Sequence, residues 1–128
     1  MGRERKYRGR HINTGEWVYG YLIGNDVIVG EIVEFNDEYF ITEYWYRVDP
    51  ETVGQYIGLK DKNDREIYAG DIPRDPTGVG EIEWVQEHCA YMVFTKNPSK
   101  YLHLESDGKL LHTEIIGNIY DNPELIEV

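Results

Sequence analysis

Cysteine is nearly absent from this 128-residue chain, and with Cys89 alone no internal disulfide can form. That excludes a small disulfide-stapled scaffold and fits a reducing compartment. Long apolar runs are also missing: no stretch approaches about 18 consecutive apolar residues, so neither a signal peptide nor a membrane span is expected. Cations are scarce, 13 Lys and Arg against 24 Asp and Glu, and the net charge of −11 repels a phosphate backbone over most of the surface. General nucleic-acid binding is therefore not expected. The chain has no Gly-x-Ser-x-Gly, no phosphate-cradling Gly-x-x-x-x-Gly-Lys and no dinucleotide fingerprint. A chain of this length buries roughly two-thirds of its unfolded surface, enough for a core without metal or disulfide.

The few cations are concentrated. Arg3, Arg5, Lys6, Arg8 and Arg10 stand against Glu4 in residues 1–10, a local balance of +4 that leaves −15 on the remainder. One interpretation is a solvated basic arm; the other is an arm that docks on an acidic surface, its own body or a neighbouring subunit.

What the chain has in abundance is aromatic: eleven Tyr, three Trp and three Phe, set among Val, Ile and Thr in short runs separated by Gly, Asp, Asn and Pro. This composition predicts strands. The expected strands are Glu16 to Ile23, Val27 to Phe35, and Tyr39 to Val48, which stops at Asp49-Pro50. Thr52 to Leu59 is interrupted by Gly54 and Gly58. Lys60 to Asp64 is a polar turn of the solvated kind. Arg65 to Tyr68 is a short strand, and Gly70-Asp71-Ile72 turns the chain before a loop from Pro73 to Gly80. Glu81 to Val85, Ala90 to Thr95 and Tyr101 to Glu105 form a meander. Asp107-Gly108 signals a two-residue hairpin with an antiparallel return over Lys109 to His112, and Glu114 to Tyr120 continues. Asn122-Pro123 has the form of an N-cap followed by the first residue of a short helical turn.

Five ordered blocks then carry a resemblance: Arg5-Lys6-Tyr7-Arg8-Gly9, Gly15 to Tyr21, Thr52 to Asn63, Glu66 to Ile72, and Ile116 to Leu125. Together they resemble the YopX-type family of phage and prophage proteins over essentially the whole chain. Asp64 stands where the family usually has Gly, and Pro73 where it usually has Val. The resemblance implies an all-β protein with an SH3-like barrel and no known activity. The expected organisation is one domain: a basic arm over 1–10, an aromatic-rich N-terminal β segment over 11–50, and an SH3-like barrel over 52–128. A bacterial host cytoplasm is the expected location.

Candidate chemistry is thin. Cys89 lies beside His88, but neighbours on a strand point to opposite faces, so a nucleophile–base contact needs a bulge; the alternative is a half-buried core cysteine. If Asp107-Gly108 is a two-residue turn, His103 faces His112 across the ladder, with Tyr101 and Glu114 next on that face. Two histidines fall short of the three or more ligands zinc normally takes, and a wet cross-strand pair is the expectation. Gly70 and Asp71 are expected to be architectural, Asp71 accepting backbone hydrogen bonds in its own turn. The aromatic surplus, Trp17, Tyr19, Tyr21, Tyr44, Tyr46 and Tyr56, with Trp45 inside the Tyr44 to Tyr46 run, supplies either two packed faces or one aromatic interaction surface. Trp17, Tyr19, Tyr21 and Ile23 alternate on one strand face, which is expected to be buried in the core or against another subunit.

These features lead to a non-enzymatic phage or prophage accessory protein acting through protein–protein contacts, as a homo-oligomer, without cofactor or metal. The alternatives are an acidic decoy that occupies the nucleic-acid site of a host enzyme and, more remotely, a metal-dependent enzyme using His103 and His112.

Overall fold

The computed structural model describes residues 6–76, 78–96, 99–104 and 109–126. It is all-β. Helical structure among these residues consists of three short 3-10 turns, at 50–52, 86–88 and 123–125. The chain falls into two compact units, residues 2–55 and 56–128, with the boundary inside a strand.

The amino-terminal unit contains β1 (Tyr7–Arg10), β2 (Trp17–Ile23), β3 (Val27–Val29), β4 (Ile32–Phe35), β5 (Phe40–Thr42) and β6 (Trp45–Arg47), and ends in the first residues of β7 (Gly54–Lys60). Antiparallel pairing orders four of these as β6-β3-β2-β1, and β1 pairs on its far side with Gly54 and Gln55. Residues 7–10 of the basic segment are thus a sheet strand, with Arg8 only 4% exposed. Register puts Val18, Leu22, Ile28 and Tyr46 on one face. There Val18, Ile28 and Val48 form a core, packed by Tyr7, Leu22, Tyr44 and Val53. Each fully buried aliphatic side chain stabilises such a core by about 1.5–3 kcal/mol.

The long strands expected over Val27–Phe35 and Tyr39–Val48 both break, and they break at the same level. Gly30 and Tyr44 join their backbones at 3.0 Å, and a Cβ on Gly30 would sit 2.7 Å from the Tyr44 ring. The ribbon bends there because Tyr44 crosses it to reach the core. Beyond the bend, β4 and β5 form a two-stranded sheet of their own, with Phe35 opposite Phe40.

The carboxy-terminal unit contains the rest of β7, then β8 (Glu66–Tyr68), β9 (Asp71–Asp75), β10 (Gly78–Val79), β11 (Glu81–Val85), β12 (Ala90–Lys96), β13 (Ser99–His103) and β14 (Glu114–Asn118). Its sheets are β10-β9-β14 and β11-β12-β13, together with the β7–β8 pairing at Tyr56↔Tyr68 and Lys60↔Glu66. Ile57, Ile67, Ile82, Leu110 and Ile115 form its core. The described strands make open sheets and close no barrel, so the SH3-like barrel implied by the resemblance is not present as a closed structure.

Three local expectations are corrected. The loop expected from Pro73 is strand: β9 runs through Pro73, opposite Ile115, and the ladder slips between Ile115 and Gly117. A bulge is where a strand tolerates a residue without an amide hydrogen. The return strand over Lys109 to His112 does not form; Lys109 bridges Lys60 in parallel, Leu110 donates its amide to the Lys60 carbonyl, and Leu111 is exposed. The Asp107-Gly108 turn itself lies outside the described residues. Finally, the C-terminal helical turn is a lone 3-10 turn, Pro123–Leu125, with no side-chain cap from Asn122. The Asn122 carboxamide instead accepts from the Asn118 amide at 3.3 Å.

Candidate interaction surface

In β2 the alternation is Trp17, Tyr19, Tyr21, Ile23 on one face and Val18, Gly20, Leu22 on the other, and the core takes the second set. The expectation that the first set lies in the core is overturned. Tyr19, Tyr21 and Ile23 are exposed and Trp17 is half-buried. Gly20 lies so close to β3 that a Cβ there would run into the carbonyl of Val29.

Cross-strand register extends this face, on which Arg8 and Val29 are buried. Tyr21 lies opposite Val29, which lies opposite Trp45; Ile23 lies opposite Val27, which lies opposite Arg47; Tyr19 and Trp17 lie opposite Arg8 and Arg10. Two guanidinium groups approach the Trp17 ring, the Arg8 and Arg10 Cζ atoms lying 4.8 and 5.3 Å from its centroid. Such cation–π contacts contribute about 0.5–1 kcal/mol each at partly exposed sites. Arg47 pairs with Asp26 at 3.1 Å. β1, β2, β3 and β6 contain these three arginines and not one carboxylate.

Tyr46 lies on the core-side face of the sheet with Ile28, and Tyr44 packs against the core. Their rings stack at 5.6 Å, His11 tilts against Tyr46 at 5.1 Å, and the Tyr44 hydroxyl donates to the Tyr19 carbonyl. With Trp17, Glu16 and Tyr19 they line a shallow groove of about 420 Å³. The His11 Nδ1 accepts from the amides of Asn13 and Thr14, at 3.1 and 3.3 Å, so its role is to fix the β1–β2 turn. Stacking, apolar contact and a few hydrogen bonds are what this arrangement offers.

The β4–β5 hairpin is the second exposed surface. Ile32, Val33, Phe35, Tyr39, Phe40 and Ile41 are all exposed, Phe35 at 76%. Its turn is fixed by Asn36, whose side-chain oxygen accepts from the amides of Glu38 and Tyr39 at 2.8 and 3.2 Å. The hairpin and its flanks carry Glu31, Glu34, Asp37, Glu38 and Glu43 and no Lys or Arg.

The remaining sequence candidates belong to the carboxy-terminal unit. Tyr56 is buried and packs on Tyr68, ring centroids 5.7 Å apart, which makes it a core residue. Gly70 has φ of 92° and ties Ile82 and Ile119 together through its own amide and carbonyl, both at 2.9 Å. Asp71 is buried and accepts from the Tyr68 amide at 2.7 Å, the turn-holding bond expected of it. Cys89 is neither in a strand nor half-buried: it is exposed, left-handed at φ 48°, at the end of the 86–88 turn, and its Sγ donates to the Gln86 carbonyl at 3.4 Å. His103 lies opposite Met92 on β12, so the His103–His112 pairing does not form, and Glu114 pairs with Arg74. Among the described residues, no three His, Cys, Asp or Glu side chains gather as a metal site would require.

One polar residue was missed by sequence reasoning. Asp61, assigned to a solvated turn, is 1% exposed. Its Oδ1 accepts from the amides of Asn63 and Arg65 and its Oδ2 from the Ile115 amide, all at 2.9 Å. Burial by itself pushes the carboxyl up, but the Ile115, Arg65 and Asn63 amides and the Arg65 charge outweigh it and hold Asp61 below its ordinary value. Next to it Asp64 adopts a left-handed φ of 64°, the conformation that accounts for glycine being the usual residue of the resemblance there.

No helix among the described residues is long and apolar enough to cross a membrane. No curated protein matches the sequence. A family model described as YopX protein matches residues 6–127, nearly the whole chain. The chain belongs to the YopX family.

Proposed function

We propose that this YopX-family chain is a non-enzymatic phage or prophage accessory protein that works in the host cytoplasm through protein–protein contacts and self-associates. The observation that carries the proposal is the exposure of large apolar side chains on the amino-terminal unit, with Trp45 at 64% and Phe35 at 76%. Monomeric proteins rarely leave extended apolar patches open, and Trp and Tyr are the residues enriched in contact surfaces. The same proposal includes an SH3-like ancestry for β7 to β14, supported by the resemblance and by short antiparallel strands around one aliphatic core.

The test is sedimentation of the full chain with capture of host proteins, repeated over a range of salt. Apolar contacts predict masses and captured partners that hardly change between low and high salt. An acidic decoy, whose supporting feature is the −15 carried by residues 11–128, predicts a single-chain mass and capture that collapses as salt rises. That second pattern would replace the proposal.

A further inference from the structure

Among the described residues, the β4–β5 hairpin is a sheet of two strands with no third strand on either edge. Its two outer edges differ. The ladder slips between Ile32 and Glu34, with Val33 as the extra residue, so β4 carries a bulge, one of the devices that blunt an exposed edge. β5 has no bulge, no proline and no charged residue, only Phe40, Ile41 and Thr42. Two bonds inside the hairpin set the direction of its backbone groups. The Tyr39 carbonyl accepts from the Asn36 amide and the Glu43 amide donates to the Glu31 carbonyl, both at 2.9 Å, so residues 39, 41 and 43 turn their backbone groups toward β4. Antiparallel alternation then points the amides and carbonyls of Phe40 and Thr42 away from β4, along the open edge. Resting on the self-association proposed above, we infer that β5 of one copy pairs antiparallel with β5 of a second copy about a two-fold axis at Ile41, joining two hairpins into one four-stranded sheet.

Three observations select a second copy as the occupant. The edge is self-complementary. Centred on Ile41, each Phe40 lies opposite a Thr42 of the other copy and exchanges both backbone bonds with it, so every outward group of β5 gains a partner. Charge does not oppose the register. Tyr39 falls opposite Glu43, the Asp37-Glu38 turns lie at opposite ends of the joined sheet, and Glu34 is on the strand away from the axis, so no carboxylate meets its own counterpart. The side chains agree as well. Ile32, Phe35, Phe40 and Thr42 share one side of the hairpin, with Glu34 and Ile41 on the other, so pairing joins two uncharged sides into one continuous apolar face. A two-stranded hairpin is at best marginally stable in water, whereas three or more strands with such a face support one another.

The decisive experiment is disulfide cross-linking of the full chain, with the native thiol removed by Cys89→Ser. Ile41→Cys then places one thiol from each copy at the axis, where the Cα atoms of a non-hydrogen-bonded pair stand roughly 4.5 Å apart, within the range a disulfide spans. In a glutathione redox buffer Ile41→Cys should give a linked dimer as the main species, and Val33→Cys on the bulged β4 should stay single. Both positions are exposed, so neither change puts folding at risk. Adding Thr42→Pro to Ile41→Cys removes an outward amide and no hairpin bond, and should cut the linked fraction about tenfold or more. Circular dichroism melts show whether that variant folds; if it does not, the comparison of Ile41→Cys with Val33→Cys decides alone. A wild type larger than one chain in which Ile41→Cys links no better than Val33→Cys, or in which a folded Thr42→Pro variant links as before, would overturn the edge pairing and leave self-association standing. A wild-type mass of one 15.0 kDa chain at every concentration would overturn both.

Discussion

Asp61 and Asp71 show what a buried carboxylate does in this protein. Asp61 gathers three amides from two distant segments, so Asp61→Ala leaves Asn63, Arg65 and Ile115 donors without their acceptor and should cost about 3 kcal/mol in a urea melt. Its folded-state carboxyl is held below the unfolded value, so its contribution is fully present above the unfolded pKa near 4 and is lost as pH falls through the folded one. Wild type should lose stability more steeply than Asp61→Asn on acidification below about pH 4, and the two curves should run parallel above about pH 5. At Asp71 a single oxygen takes the Tyr68 amide, so Asp71→Asn, which keeps an acceptor, should be milder than Asp71→Ala, which should cost about 1 kcal/mol or more. Trp17 is braced by Arg8 and Arg10 at the edge of an open face, and Trp17→Ala should cost about 1–2 kcal/mol, less than the 3 or more that a buried tryptophan loses.

Elements were legible in the sequence where local pattern and tertiary role agree. β2, β11, β12 and β14 fall within a residue or two of the alternating runs that predict them. The failures share a cause: a distant partner overrides a local signal. Pro73 reads as a loop, but the slip at Ile115–Gly117 on β14 absorbs its missing amide hydrogen. Lys109 to His112 reads as a hairpin return, but the Lys60 carbonyl captures Leu110. The polar turn at Lys60 to Asp64 hides Asp61 because nothing local reveals an acceptor for Ile115, 54 residues away. The aromatic surplus reads equally as two packed faces or one interaction surface, and the face of Trp17, Tyr19, Tyr21 and Ile23 as buried, whereas Tyr19, Tyr21 and Ile23 are exposed. Gly20 leaves no room for a Cβ beside the Val29 carbonyl. Gly20→Ala should therefore disrupt the β2–β3 pairing and cost about 1–3 kcal/mol, measurable by thermal melt, whereas Gly24→Ala meets no neighbouring atom and costs only what its left-handed φ of 64° imposes.

On the scale of the whole molecule, each unit has a core of its own, one around Ile28 and Val48 and the other around Ile67 and Ile82, so neither the aromatic face nor the hairpin is required to build a core. Both are open to the contact proposed above. Amide hydrogen exchange of residues 32–42, followed as a function of protein concentration, tests the central claim, that the chain self-associates through its exposed apolar side chains. Protection of these amides should rise with concentration, together with that of β6, while the carboxy-terminal core amides stay unchanged. Hairpin amides that exchange at one fast rate at every concentration would contradict the account.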